Sequence, residues 1–282
     1  MIRVGGVPEH FNYPFYLARD YGLYKKYNIN VDFIIQKCGT GAMISALKQQ
    51  KVDIIIALTE GLIQEMVTGT TIDLIGTYVE SPLCWAICGK SNSKLKKLKN
   101  KKFGISRLGS GSHLMACVYA MQNNWKKNDI SFKMVGDFES LRSSVNNDET
   151  DVFLWETFTS KPFFDSGELS RLGQITTSWP CFMIATLKDT RIKRIDQLNC
   201  FMLCMQEAVQ IFKKEKNKMP IQIAQKYNLS IEDVYEWYNK VNITATKSIS
   251  KQAIDCVIQT FKKMDLVTDE DATKFYDTHE FK

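Results

Sequence analysis

The sequence predicts an α/β protein of two lobes, and three observations carry that reading. The first eighty or so residues alternate short apolar, β-branched runs with segments of helical periodicity, the signature of a doubly wound, parallel sheet. The same alternation starts again after residue 83, with no Pro/Gly/Ser-rich or low-complexity spacer at the junction. Beyond residue 187 the pattern is helical to the end. A chain of 282 residues has room for two such units.

The elements follow in order. Residues 2–7 (IRVGGV) read as a strand and PEHFNYP as a loop. A helix follows from Phe15, Leu17, Ala18 and Leu23, with Gly22 and Asn28 punctuating its end. Residues 31–36 (VDFIIQ) read as a strand buried on both faces. KCGTG leads into a second helix, and VDIIIAL (52–58) is another buried strand. TEGLIQEMVTG reads as a helix with Thr59 as N-cap and Gly69 just past its end. IDLIGTYVE (72–80) closes the first series of strands.

The second series comprises strands at SPLCWAICGK, KFGIS, SFKMVGDF and DVFLWETF, with a helix from LMACVYAMQNNW and a shorter one from ESLRSSVNNDET. SWPCFMIATL (178–187) is the last strand-like run. Four helices then read from IDQLNCFMLCMQEAVQIFKKEK, PIQIAQKYN, SIEDVYEWYNKV and SKQAIDCVIQTFKKM, with Ser230 and Ser250 as caps.

Composition excludes several function classes. Charged residues are 24% and apolar residues 44%, values that fit a folded domain. No apolar run approaches the ~20 residues of a membrane span. The N-terminus lacks a charged stretch followed by an apolar one, so the expectation is a cytoplasmic protein without a secretory leader. Net charge is +6, and the excess is concentrated in SKLKKLKNKK (93–102). No aromatic residue interleaves these lysines, so they read as a solvated linker face, and no nucleic-acid partner is expected. The eight cysteines form no CxxC pair, and the three histidines are His10, His113 and His279. Zinc spacings are absent, and no metal or cofactor is expected.

The polar residues that end the strands point to a ligand cleft. Polar loops beyond the carboxyl ends of parallel strands are where α/β proteins bind ligands. GISRLGSGSHLMACVYA reads as strand, small-residue loop and helix start. Free backbone N–H groups and the macrodipole favour an anion there, and Ser110, Gly111 and Ser112 let it approach. The same residues serve equally well as a turn with a serine cap. His113 would add a donor or a charge. KCGTGAM repeats the geometry with Thr40 at the helix start. Glu9, His10 and Asn12 follow the first strand, Thr59 and Glu60 the third, and Trp155 and Glu156 end DVFLWETF. Trp155 or Trp85 would stack on a flat ligand, while Glu156 would accept from an amine or ring N–H. No catalytic set stands out: there is no G-x-S-x-G, and nothing marks Cys117, four residues after His113, as an activated thiol.

These segments resemble a known family. GLYKKYNINVDFIIQKCGTGAMISALKQQKVDIIIAL is similar to the start of the sulfonate-, taurine- and nitrate-binding proteins of ABC importers. KLKKLKNKKFGISRLGSGSH, DVFLWETF and AVQIFKK…AQKYNLSIEDVYEW continue the likeness over nearly the whole chain, as a pattern rather than residue by residue. The resemblance implies a type II periplasmic-binding-protein fold. Residues 1–83 with 183–282 would form one lobe and residues 84–182 the other, with crossovers near 80–84 and 181–185. The same family contains the fungal thiamine-pyrimidine synthases, which use a histidine, pyridoxal phosphate on a lysine, and a cysteine cluster by an iron site. This chain departs from them: VDIIIALTEGLIQEM holds neither lysine nor histidine, and the cysteine slot reads SWPCFMI, with Cys181 alone. The reading is therefore a non-catalytic binding protein for a small anionic or polar nitrogenous molecule, a thiamine precursor being one of that kind. A divergent thiamine-pathway enzyme and an importer-type alkanesulfonate-binding protein are the alternatives. Oligomeric state is left open.

Overall fold

Pairing between distant strands sorts the predicted elements into two sheets. The computed structural model describes residues 1–279. The chain opens with β1 (Ile2–Gly6), a 3-10 turn (His10–Asn12), α1 (Tyr13–Asp20), α2 (Leu23–Lys26), β2 (Val31–Ile35), α3 (Gly39–Lys48), β3 (Ile54–Leu58), α4 (Thr59–Val67) and β4 (Ile72–Val79). It continues with β5 (Cys84–Lys90), β6 (Lys102–Ile105), α5 (Gly111–Gln122), β7 (Ser131–Met134), α6 (Phe138–Asn146), β8 (Val152–Glu156), α7 (Thr157–Asp165) and β9 (Leu169–Thr176). It closes with β10 (Phe182–Leu187), α8 (Lys188–Lys193), α9 (Ile195–Lys214), α10 (Met219–Tyr227), α11 (Ile231–Lys240), β11 (Ile243–Thr246), α12 (Lys251–Lys263) and α13 (Asp269–Thr278).

One sheet has six strands in the order β11-β4-β10-β3-β1-β2, the other five in the order β7-β6-β8-β5-β9. β1, β2 and β3 are parallel. β10 then enters antiparallel between β3 and β4. The four strands of the first series thus run in one direction, as expected, but their sheet is not wholly parallel, because a strand from much later in the chain enters between β3 and β4. The expectation that residues 31–36 are buried on both faces is also corrected. β2 is an edge strand bonded to β1 alone, and its side chains are half-buried or exposed. Gly22, at φ +68°, breaks the predicted helix of residues 15–28 into α1 and α2. β9 and β11 were not foreseen. Both are edge strands in which polar residues dilute the apolar pattern.

Helix ends follow local chemistry more closely. Ser230 and Ser250 cap α11 and α12, each accepting an N–H at 3.2 Å. Gly69, at φ +84°, follows the C-cap of α4. Thr59 is not the N-cap of that helix. Leu58 holds the cap position, and the Thr59 hydroxyl donates instead to the Pro180 carbonyl. In the lysine run, Lys99 and Lys101 pair with Asp129 and Asp151, and Leu98 anchors the segment in the core.

The chain passes from the six-stranded to the five-stranded sheet at residues 80–83 and returns at 177–181, earlier than the expected 181–185. The two passages lie side by side. The Leu83 N–H donates to Thr177 Oγ1 at 3.2 Å and the Cys181 N–H to the Ser81 carbonyl at 3.3 Å. One continuous apolar core runs from Val4, Ile55 and Ile184 on one sheet to Trp85, Ile87 and Leu154 on the other. A smaller cluster around Leu141, Val145 and Phe153 fills the other face of the five-stranded sheet. This layering brings the loops after β1, β2 and β3 opposite those after β6 and β8.

Candidate functional site

A small cavity lies where these loops meet. The centre of a water-sized sphere reaches about 50 Å³ of it, room for a few waters. Glu9 reaches it from the loop after β1, and Cys38, Gly39 and Thr40 from the start of α3. From the other sheet come Trp85, Trp155 and Glu156, together with Ser106, Arg107, Ser110, Gly111 and Ser112 around the start of α5. Larger troughs exist elsewhere. One, about 620 Å³, is an open groove crossed by an Arg191–Asp73 pair, and it shares none of these loops.

The start of α5 is built by its own serines. Ser110 caps the helix: its Oγ donates to the Arg107 carbonyl at 2.8 Å and accepts the His113 N–H at 3.4 Å. Ser112 Oγ accepts the Ser106 N–H at 3.0 Å. The N–H groups of Gly111 and Ser112 have no partner among the described residues, as expected of the first turn. A Cβ on Gly111 would lie 2.6 Å from Trp85 Cη2 and 2.7 Å from Leu58 Cδ1, so glycine is what allows both sheets to close on this turn. On the facing side, Thr40 Oγ1 accepts the Leu58 N–H at 3.2 Å.

Charge is divided within the cavity. Burial and the nearby Glu156 push the Glu9 carboxyl up to about 8, and burial also raises Glu156. Glu156 Oε2 accepts the Thr159 N–H at 2.6 Å and so caps α7. Arg107 escaped the sequence reading. Its Nη1 donates to the Cys38 carbonyl at 2.9 Å and it has no carboxylate partner among the described residues. The signal for it was present, since it adjoins the Gly/Ser turn, but a lone arginine in a loop carries no pattern.

The other expected residues point elsewhere. His10 is buried among Phe11, Tyr227 and Trp237, and burial lowers it to about 3. Asn12 donates to the Val7 carbonyl at 2.8 Å. Thr59 is held by Pro180. Glu60 Oε2 accepts the Trp179 indole N–H at 2.9 Å, and burial pushes this carboxyl up to about 7. His113 Nδ1 accepts the Gly109 N–H at 3.1 Å, and the ring stands edge-on to Phe132. A ring that accepts this N–H cannot also carry the charge expected of it, and burial lowers its pKa. His10, Asn12, Thr59, Glu60 and His113 therefore do not line the cavity. Cys117 lies 3.7 Å from His113 Nε2, but burial pushes the thiol up to about 11, so it is not a thiolate at neutral pH.

The whole fold is shared with a protein of Candida albicans. The conserved CA3427 gene product, described as defining a new family with the generic periplasmic binding protein structural fold, matches with a TM-score of 0.92. Identity is 30% over 99% of this chain and 95% of that one. The chain belongs to the CA3427 family. The family described as Ca3427-like PBP also matches residues 85–175, which hold Trp85, Arg107, the start of α5 and Glu156. Two more distant structures share the fold. The alkanesulfonate-binding protein SsuA from Xanthomonas axonopodis pv. citri, bound to MOPS, has a TM-score of 0.80 at 15% identity, over 95% of this chain and 94% of that one. The aliphatic sulphonate binding protein SsuA from Escherichia coli has a TM-score of 0.73 at 16% identity, over 97% and 96%. No curated protein sequence matches. No helix among the described residues is long and apolar enough to cross a membrane.

Proposed function

We propose that this CA3427-family protein binds a small anionic molecule in the cavity between its two sheets. Residues 1–83 with 183–282 act as one lobe and residues 84–182 as the other. The observation that carries the reading is the meeting of two unspent positive features in one cavity. Arg107 has no carboxylate partner, and the first turn of α5 presents the free N–H groups of Gly111 and Ser112. Each attracts an anion, and an oxyanion with several acceptor oxygens satisfies both at once. The sulfonates named for the SsuA proteins have this chemistry. Trp85 and Trp155 supply apolar walls for the body of the ligand.

Calorimetric titration of the intact chain with methane-, ethane- and propane-1-sulfonate tests the proposal. Heat of binding that disappears in Arg107→Ala supports it. Binding indifferent to that change, or no binding of any small oxyanion, refutes it.

A further inference from the structure

We infer that His113 is a positioning residue for Arg107: its ring holds the turn of residues 107–109 against α3 and α4, and protonation of that ring releases the turn and weakens anion binding. The inference rests on the anion reading above and adds the regulation of that site by pH.

The turn is fixed at both ends. Arg107 Nη1 donates to the Cys38 carbonyl at 2.9 Å, and the Arg107 carbonyl accepts from the Ser110 hydroxyl at 2.8 Å. The Gly109 N–H donates to His113 Nδ1 at 3.1 Å. Gly109 stands at φ +72°, and a Cβ on it would lie 2.9 Å from Gln64 Oε1 of α4. Leu108, between these anchors, is 65% exposed. A groove of about 330 Å³ runs alongside, lined by Leu108 and Gly109 with Ile44 of α3 and Thr68 of α4. The turn therefore keeps its place through its hydrogen bonds rather than through burial of its own side chain, and it borders space into which it can move.

His113 does not line the cavity, so it reaches the ligand only through this turn. An imidazole that accepts at Nδ1 carries its proton on Nε2, which lies 3.7 Å from Cys117 Sγ. A second proton on Nδ1 stands against the Gly109 N–H, donor against donor, and the bond is lost. Gly109 and Arg107 share one short turn, so the hold of the guanidinium on Cys38 loosens with it.

The surroundings of the ring supply no competing charge. Cys117, on the same helix, is pushed up to about 11 by burial and stays a thiol. From β7 comes the Phe132 ring, 4.7 Å away and edge-on, while the adjacent Lys133 pairs with Glu149 at 2.8 Å. Lys102 of β6 stands at the far end of its strand. On α4, Glu60 is bonded to Trp179 and Glu65 to Lys48. Burial lowers the pKa of the ring from 6.5, so it is neutral at neutral pH and the release belongs to the range below 6.5. Glu9 and Glu156 act in the opposite sense: acid neutralises these cavity carboxyl groups and by itself favours an anion.

The test titrates the intact chain, His113→Asn and His113→Ala with propane-1-sulfonate by calorimetry at about pH 7.5 and about pH 5.5. Asparagine places an oxygen where Nδ1 stood, so it accepts the Gly109 N–H and does not titrate. The expected result is that the parent loses about fivefold or more in affinity on acidification relative to His113→Asn, and that His113→Ala binds weakly at both pH values. In heteronuclear NMR of the parent, the Gly109 amide shift should follow the His113 ring through the same titration. Parallel pH dependence of the parent and His113→Asn overturns the positioning role. A gain of the parent over His113→Asn at low pH means that the charged ring attracts the anion itself, and it overturns the role as well. Absence of binding in all three proteins overturns the anion reading. The amide titration then decides the coupling of His113 to the turn, and a Gly109 shift indifferent to the ring overturns it.

Discussion

The Arg107 guanidinium donates to the Cys38 carbonyl at 2.9 Å, a single bond that ties the loop after β6 to the loop after β2 and so spans the two sheets. It is possible because position 41 has no side chain. A Cβ there would stand 2.2–2.4 Å from three guanidinium atoms.

Gly41→Ala is therefore expected to separate stability from binding. Gly41 lies inside α3 with ordinary helical backbone, so alanine gains up to about 1 kcal/mol of helix propensity. The guanidinium must swing away, and a charge-assisted contact of roughly 1.5–3 kcal/mol with the anion goes with it. Thermal melts should hold or rise while propane-1-sulfonate affinity falls tenfold or more. Unchanged affinity would remove Arg107 from the site.

Ser110→Ala and Gly111→Ala should behave differently from each other. The Ser110 hydroxyl is committed to Arg107 and His113, so its loss costs about 1 kcal/mol of stability and leaves the Gly111 and Ser112 N–H groups in place. Gly111→Ala drives a methyl group into Trp85 and Leu58, destabilises by about 1–3 kcal/mol and closes the approach to the backbone. Denaturant unfolding beside calorimetry distinguishes them. A Ser110→Ala protein of full stability and reduced affinity would show that the hydroxyl touches the ligand after all.

Stability without ligand should fall as pH rises from about 6.5 to 8. Glu60, raised from 4.5 to about 7, and Glu9, raised from 4.5 to about 8, bind protons more tightly when folded than when unfolded. Their contribution is complete below about 4.5 and is lost as pH climbs through the folded values. His10 acts in the opposite sense. Its pKa is lowered from 6.5 to about 3, so the stability it allows is complete above 6.5 and declines below it. Above 6.5 the carboxyl groups dominate, and a loss on the order of 1–2 kcal/mol is expected. Unfolding curves across that interval check it: the slope should shrink in Glu9→Gln and in Glu60→Gln, and an unshrunken slope would assign it to other groups.

The paired passages at 80–83 and 177–181 should serve as a hinge. Beyond the shared apolar core and the Arg107–Cys38 bond, Lys161 of α7 and Asp233 of α11, 3.3 Å apart, also tie the two halves together. Solution scattering of the double variant Arg107→Ala, Lys161→Ala should give a larger radius of gyration than the parent. Saturating propane-1-sulfonate should leave the parent at its smaller value. A radius indifferent to both changes would mean that the sheets do not move on these passages.

The sequence by itself determined what depends on near neighbours. β-branched runs marked β1, β3 and β4, serines ahead of helical periodicity marked the starts of α5, α11 and α12, and polar ends of strands picked out Glu9, Thr40, Ser110 to Ser112, Trp155 and Glu156, which line the cavity. Periodicity reports that a face is buried but not what buries it. Only the tertiary structure could decide that β10 divides β3 from β4, that β2 lies at an edge, and that Gly41 makes room for Arg107. The same limit explains His113 and Glu60. A polar side chain turns toward whichever donor it must satisfy, here the Gly109 N–H and the Trp179 indole. The indole lies 119 residues from Glu60 along the chain, a partner that only the folded structure brings within reach.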